Sequence, residues 1–209
     1  MTRWADADAP WPAALGLAWA AYAADTTPVG AVLVDGSGAV VAQGINARYR
    51  DDADVPLAGS HLAHAEVLAL GGLSSQRSYP EHVLYTTLEP CLLCVGAAVM
   101  SNVGRVVFAG TDPYGGATGF PADLNAYLRR CGTTFSGPFD DELGTFAAAL
   151  HVEFYLRRKP DGHVVAAYEE HVPAVAEAGR ALRRISLYET AAAGTPVAEA
   201  FDSALALLD

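Results

Sequence analysis

A chain of 209 residues is long enough for one enzyme-sized domain, and its 52% hydrophobic and 18% charged residues exclude an intrinsically disordered protein. Three cysteines are too few for a disulfide framework, so the composition is typical of a protein of the reducing cytoplasm. The net charge of −11, with Lys159 as the sole lysine, disfavours a surface built to bind nucleic acid.

The first notable feature along the chain is an uncharged run over residues 9–24. Its sixteen residues are fewer than a membrane-spanning helix requires. Asp6 and Asp8 also stand where a secretory signal would carry positive charge. We therefore expect an apolar first helix that packs on a sheet, no membrane association and a cytoplasmic location.

Hydrophobic periodicity and turn residues predict alternating helices and strands after this run. Residues 29–34 form a short apolar segment rich in β-branched residues, and the Asp-Gly-Ser-Gly sequence that begins at Asp35 is typical of a hairpin turn. Helices are predicted over 12–24, 62–70, 91–101, 122–130 and 140–158, and strands over 29–34, 39–43, 83–88, 105–110 and 133–136. The alternation predicts an α/β fold, a three-layer α/β/α sandwich around a mixed five-stranded sheet.

Residues 1–159 account for this sandwich, and we expect residues 160–209 to be a C-terminal helical extension. Pro173 is expected to begin a helix that runs to about Tyr188, and Thr195-Pro196 to begin a second helix with an apolar stripe. We expect both helices to pack on the domain or on a partner subunit. There they would cover the mouth of a pocket and exclude a large nucleic acid.

Two short motifs supply three metal-ligating side chains and one free carboxylate. A His-Ala-Glu motif begins at His64, and a Pro-Cys-Leu-Leu-Cys motif contains Cys91 and ends at Cys94. One imidazole and two thiolates suit zinc, and three protein ligands leave the fourth tetrahedral position for water, as in catalytic zinc sites. Glu66 is then the candidate to take a proton from that water and pass it to a leaving amine.

Two other interpretations of the cysteine pair remain open from the residues alone. A Cys-x-x-Cys sequence can be a redox pair. A closed structural zinc site would need a fourth ligand, for which the chain offers Cys131, His61, His82 and His151. The order of the two motifs, and the proline before the first cysteine, favour a catalytic zinc site.

With these motifs the sequence resembles the cytidine-deaminase-like superfamily of zinc deaminases, whose signature is His-x-Glu followed by Pro-Cys-x-x-Cys. Within it, the chain looks most like the branch of bacterial tRNA adenosine deaminase and guanine deaminase. The similarity covers about residues 12–159. It includes the segments that begin at Thr27, Gly44, Thr87, Arg105 and Phe154. The resemblance implies the sandwich fold, bound Zn²⁺ and a homodimer.

The resemblance also implies a set of substrate contacts. They are Asn46, Val29, the backbone of Ala65, Asp112, Phe154 and Tyr155. Four of these positions have ordinary structural alternatives, which are a turn residue for Asn46, a cap for Asp112 and core packing for Phe154 and Tyr155. Glu89 is expected to brace the cysteine turn, and His61 is expected to be a residue of the helix start.

We therefore expect a zinc-dependent hydrolytic deaminase of a small nucleobase or nucleoside with a guanine-like or cytosine-like ring. A tRNA adenosine deaminase is the alternative, supported by the basic run Arg157-Arg158-Lys159. The extension argues against it, because residues 161–209 hold eight acidic residues and three arginines. The alternative from another class is a catalytically silent zinc-binding assembly module, which the intact motifs disfavour.

Overall fold

A single mixed sheet organises the protein, whose computed structural model describes residues 4–120 and 123–208. Its strands are β1 (Gly30–Val34), β2 (Val40–Ile45), β3 (Tyr79–Leu88), β4 (Val103–Gly110) and β5 (Thr134–Ser136). They lie in the order β2-β1-β3-β4-β5. β1 is antiparallel to both of its neighbours, whereas β3, β4 and β5 run parallel. The predicted mixed five-stranded sheet is confirmed.

Helices cover both faces of the sheet. The first five are α1 (Pro10–Ala23), α2 (Ala65–Leu70), α3 (Leu92–Met100), α4 (Ala126–Arg130) and α5 (Glu142–Arg158). The four that follow are α6 (His163–His171), α7 (Pro173–Arg184), α8 (Leu187–Ala192) and α9 (Val197–Ala204). All five residues of β1 are buried, because Val32 and Val34 join the apolar cluster of α1 while Ala31 and Leu33 join that of α2. The predicted three-layer arrangement is confirmed.

The uncharged N-terminal run forms α1, which packs on β1 and β3 as predicted. Its buried side chains include Trp11, Leu15 and Tyr22. In the described part of the chain, no helix combines the length and the hydropathy that crossing a bilayer requires.

Two predicted helices begin later than expected. The helix predicted over 62–70 begins at Ala65, because His64 has an extended backbone and the carbonyl of Ala63 accepts a hydrogen bond from Ala47 N at 2.9 Å. For the helix predicted over 122–130, Ala122 lies outside the described residues. The observed α4 begins at Ala126, where the side chain of Asn125 caps the helix.

The prediction of two helices in this extension is wrong, because its described residues, 160–208, form four, α6 to α9. The helix that begins at Pro173 ends at Arg184 and does not reach Tyr188. Ser186 has a left-handed backbone (φ 54°, ψ 44°), through which a right-handed helix does not continue. α9 begins at Val197 with Pro196 at its N-cap, so Thr195 does not cap it.

The four extra helices pack on the rest of the same chain. α7 lies so close to α5 that a Cβ on Gly179 would meet Val152 Cγ1 at 2.5 Å. At the other end of the extension, Phe201 of α9 packs against Trp4 and Phe146, with ring centroids 5.9 and 5.1 Å apart. The division of the chain at residue 159 into a domain and an extension stays a prediction.

Candidate active site

Three ligand atoms converge where α2 and α3 begin. His64 and Cys91 are the N-cap residues, and Cys94 lies in the first turn of α3. His64 Nδ1 lies 3.5 Å from Cys91 Sγ and 3.4 Å from Cys94 Sγ, and the two sulfurs are 3.6 Å apart. Tetrahedral zinc, with bonds of about 2.3 Å to sulfur and about 2.0 Å to nitrogen, requires separations of roughly 3.5–3.8 Å. The three side chains therefore fit zinc.

The two thiols differ in their affinity for a proton. The hydrogen bond between the two sulfurs lowers the pKa of the Cys91 thiol to about 4, and the same interaction raises the pKa of Cys94. Cys91 also lies at the N-terminus of α3, where the helix dipole favours an anion. Since the thiolate is the form that binds metal, Cys91 favours a bound cation, and binding of a metal would release the proton of Cys94.

The described residues exclude a closed structural zinc site. Within 4–120 and 123–208, the clustered ligands are His64, Cys91 and Cys94 alone. The four other candidates lie outside this cluster. His61 Nδ1 contacts Arg48, His151 Nδ1 contacts Tyr168 and Cys131 Sγ contacts Thr133, while the His82 ring packs edge-on against Tyr79. A zinc ion held by the three clustered side chains would keep its fourth position for a ligand from the cavity that His64 and Cys91 line.

Glu66 places its carboxylate beside the ligand atoms. Its Oε1 accepts a hydrogen bond from Thr86 Oγ1 at 2.9 Å, and its Oε2 lies 3.2 Å from Cys94 Sγ. The side chain is buried, and this burial raises the pKa of the Glu66 carboxyl. The direction of this shift favours the protonated carboxyl, the form that donates a proton to a leaving group.

An inner cavity of about 190 Å³ opens in front of these residues. Four of the six predicted substrate contacts line it, namely Val29, Asn46, Asp112 and Tyr155. Ala65 is fully buried in α2 and is not among the lining residues. Phe154 is also fully buried, and its ring packs against Tyr49 at 6.0 Å, so the structure does not bring it to the cavity.

Asn46 and Asp112 combine a structural bond with a position in the cavity wall. Asn46 Oδ1 accepts hydrogen bonds from Arg48 N and Thr26 Oγ1 at 3.2 and 3.3 Å, so its amide nitrogen is the group that can donate to a ligand. Asp112 Oδ1 accepts from the backbone of Tyr114 and Gly115 and caps a turn. Both structural alternatives for these residues are therefore present in the fold.

Glu89 braces the cysteine turn, as its position next to Pro90 predicts. Its Oε1 accepts a hydrogen bond from Thr118 Oγ1 at 2.6 Å, and its Oε2 accepts one from Asp112 N at 3.4 Å. The carboxylate therefore ties the turn before α3 to the loop after β4. It supports the cavity wall, and because its oxygens are engaged in these bonds, Glu66 is the better candidate for proton transfer.

Several lining residues were missed by the sequence analysis as substrate-facing positions. They are Thr27, Arg48, Leu88, Tyr114, Gly115, His151 and Val164. Most carry no local motif, since they reach the cavity only through packing of distant segments. His151 had a usable signal, because it is a polar residue on an otherwise apolar and buried face of α5.

An outer cavity of about 590 Å³ adjoins the inner one and shares Arg48, Tyr114, Tyr155 and Val164 with it. Arg158 and Lys159 also line it. The guanidinium of Arg158 lies 4.2 Å from the centre of the Tyr49 ring. This outer wall is therefore cationic and aromatic, unlike the acidic chain as a whole.

Comparison with known proteins gives the family. The family model of the cytidine and deoxycytidylate deaminase zinc-binding region matches residues 9–110, which contain both motifs. The tRNA-specific adenosine deaminase of Bacillus subtilis is 33% identical over 138 residues, which cover 63% of this chain and 80% of that enzyme. This chain belongs to the cytidine and deoxycytidylate deaminase family.

Other family matches differ in what they are named for. A tRNA(Ile)-lysidine synthase of Deinococcus radiodurans is 36% identical over 116 residues, or 54% of this chain, which spans only 19% of that protein. A solved structure of guanine deaminase from Nitrosomonas europaea has a TM-score of 0.51 and 29% identity, covering 69% of this chain and 82% of that one. These similar proteins are therefore named for different activities.

Proposed function

We propose that this protein is a hydrolytic deaminase of an amino-substituted purine ring, and that adenosine in tRNA is the first substrate to test. The observation that carries the proposal is the triangle of His64, Cys91 and Cys94 in one cavity wall, with the Glu66 carboxylate 3.2 Å from Cys94 Sγ. The overall reaction exchanges the ring amine and one water for a ring carbonyl and ammonia.

Several side chains of this protein have separate roles in this reaction. Zinc, when bound, supplies Lewis acidity that makes water nucleophilic near pH 7. Glu66, anchored through Oε1 by Thr86, would take one proton from the attacking water and pass it to the ring nitrogen beside the attacked carbon. It would then take the second proton, from the oxygen now bonded to that carbon, and deliver it to the amine, so that the carbon–nitrogen bond breaks, ammonia leaves and a ring carbonyl remains. The apolar side chains of Val29 and Leu88 hold the ring and keep bulk water from it.

Two observations support tRNA as the source of the purine. The acidic composition favours a small ring, but the comparisons favour tRNA, since the Bacillus subtilis relative is named for tRNA and is covered over 80% of its length. The outer cavity offers Arg48, Arg158 and Lys159 beside tyrosine rings, a combination that suits the ribose-phosphate chain flanking a reactive base.

A free guanine-type base is the second candidate. The guanine deaminase structure, which matches 69% of this chain, supports it. The extension supports it as well, because Val164 of α6 borders both cavities and His163 borders the outer one, which narrows the approach for a large substrate.

The deciding experiment measures ammonia release by the zinc-loaded protein from tRNA, adenosine, guanine and cytosine, with Glu66→Ala as the blank. Turnover of tRNA that falls steeply as salt rises supports the first candidate. Turnover of guanine alone supports the second candidate and overturns the first. Silence on the whole panel, with zinc content verified, contradicts the deaminase proposal and favours a binding module.

A matched pair of variants tests the outer cavity. Lys159→Gln should weaken tRNA binding severalfold and leave turnover of free adenosine unchanged, because the ammonium lies in the outer wall. Arg184→Gln is the control, an exposed cation of α7 that pairs with Glu177 and lies outside both cavities. Equal effects of the two variants would show that only overall charge matters.

The predicted homodimer and the cytoplasmic location remain predictions. We propose the homodimer as the assembly to test by analytical ultracentrifugation of the zinc-loaded protein. A monomer at micromolar concentration would contradict it.

A further inference from the structure

A buried histidine outside the zinc triad lines the inner cavity. His151, on α5, has 5% of its surface exposed, and its ring is held edge-on between Tyr155 and Tyr168 with centroids 5.0 and 5.8 Å away. Its Nδ1 lies 3.1 Å from the hydroxyl of Tyr168. Tyr168 belongs to α6, so a residue of the extension contacts a residue of the cavity wall.

The hydrogen bonds around Tyr168 determine which nitrogen of His151 carries the proton. The Tyr168 hydroxyl donates to the backbone carbonyl of Thr111 at 2.7 Å, and a carbonyl can only accept. Since the hydroxyl has one proton, its oxygen must accept the bond from His151. The proton therefore sits on Nδ1, and Nε2 of the neutral ring carries a lone pair.

The surroundings keep this imidazole neutral. Burial lowers the pKa of His151 below its usual value, and the nearby charge of Asp112 opposes that shift only in part. Because Nδ1 is engaged by Tyr168, Nε2 is the nitrogen that remains available to a ligand in the cavity. His151 therefore presents a hydrogen-bond acceptor there.

The other polar groups of the inner cavity complement this acceptor. The buried hydroxyl of Thr27 has no hydrogen-bond partner among the described residues, and it can donate or accept. Asn46 can donate through its amide nitrogen, as its oxygen is already engaged. A ligand that satisfies all three groups must present at least one donor, and His151 is where that donor is required.

We infer that His151, held in one tautomer by Tyr168 of the extension, is a specificity-determining residue that accepts a hydrogen bond from an N–H or O–H donor of the substrate. The inference deepens the proposed function and rests on it. A guanine-type ring offers ring N–H groups. A neutral adenine ring has its donors on the amine that leaves, so adenosine would have to satisfy His151 through a ribose hydroxyl.

The tautomer can be measured without any substrate. Two-bond ¹H–¹⁵N correlation spectra of the zinc-loaded, ¹⁵N-histidine-labelled protein should show His151 as the Nδ1–H form, and His151→Asn identifies its signal by loss. Tyr168→Phe should abolish the preference for that form, because no acceptor then faces Nδ1. An Nε2–H form in the unmodified protein, or an unchanged form in Tyr168→Phe, would overturn the inference.

Two substitutions separate the two edges of the ring. His151→Asn keeps an N–H that can reach Tyr168 and removes the acceptor, whereas His151→Gln can restore an amide oxygen near the position of Nε2. We expect His151→Asn to weaken the donor-bearing ligand about tenfold and His151→Gln to recover part of that loss. Retained zinc content and an unchanged thermal midpoint would confirm that each variant is folded.

Binding in a Glu66→Ala background separates this inference from the proposed function, since affinity is then measured without turnover. The probes are guanine, adenosine and 2′-deoxyadenosine. A selective loss for guanine in His151→Asn identifies a ring N–H, and a loss for adenosine that 2′-deoxyadenosine does not share identifies the 2′-hydroxyl. If a probe binds and His151→Asn leaves every affinity unchanged, the inference fails while the function stands. If no probe binds and no substrate turns over, the proposed function fails.

Discussion

The inner cavity has two walls of different origin. The metal wall carries His64, Glu66, Cys91 and Cys94 on the first residues of α2 and α3. The opposite wall carries residues of α5 and α6, such as His151, Tyr155 and Val164, which reach the cavity through helix packing. In the proposed function, the first wall holds the groups that act on every substrate, and we infer that the second holds groups that select among substrates. Substitutions in the metal wall should therefore lower turnover of every substrate, whereas substitutions in the opposite wall should change the preference among substrates.

The largest effect is expected from removal of a ligand on the metal wall. His64→Ala should lose zinc and all turnover, because two thiolates alone do not hold a catalytic zinc ion tightly. Metal content by mass spectrometry and ammonia release on every substrate check this. His61→Ala is the matched control, since this exposed histidine contacts Arg48 and not the ligand cluster. Full zinc content in His64→Ala would contradict the assignment.

Loss of the proton shuttle should be the next largest effect. Glu66→Gln should keep zinc and lower kcat by about 10²–10⁴-fold, the usual contribution of a positioned general acid–base group. Glu153→Gln is the control, a buried carboxylate bound to Tyr22 and Arg157 and outside the cavity. Its kcat should stay near that of the unmodified protein. Similar kcat values for the two variants would contradict the role of Glu66 in proton transfer.

The far end of the extension should affect stability alone. Phe201→Ala should cost about 3–5 kcal/mol in the free energy of unfolding, because a fully buried ring between Trp4 and Phe146 is replaced by a cavity. The kinetic constants of the folded fraction should not change, since α9 lies outside the substrate cavities. Urea unfolding and steady-state kinetics check this pair of outcomes. Altered substrate preference would show that α9 acts on the site.

The smallest effect concerns pH. Burial lowers the pKa of folded His151, whereas the unfolded side chain titrates near pH 6.5. The contribution of neutral His151 to the free energy of unfolding is therefore complete above about pH 6.5. It is lost as pH falls towards the folded value, by at most about 1.4 kcal/mol per pH unit. His151→Asn should flatten the fall in stability between pH 7 and 5 in zinc-saturated urea melts. An equal flattening in His61→Asn would contradict this cause.

Local sequence patterns were enough to predict much of the fold. The alternation of apolar runs and turns correctly predicted the mixed five-stranded sheet. A strand such as β1 reads as an apolar run because its side chains alternate between two faces of the sheet that are both covered. Local rules failed at residues 62–64, where pairing of Ala63 with Ala47 delays α2. They failed again after Pro173, where the left-handed Ser186 divides the predicted helix. In both places a backbone conformation not encoded by hydrophobic spacing set the boundary.

By itself, the sequence determined the metal wall. Cys91 and Cys94 are three residues apart, so the first turn of α3 brings their sulfurs together, and the two motifs together indicated that His64 and Glu66 would join them. Only the tertiary structure decided the opposite wall. Helix packing buries Phe154 in the core and places Tyr155 and His151 in the cavity wall. It also brings Tyr168 into contact with His151, 17 residues earlier in the chain. A contact of that kind depends on how whole helices pack, and no local spacing records it.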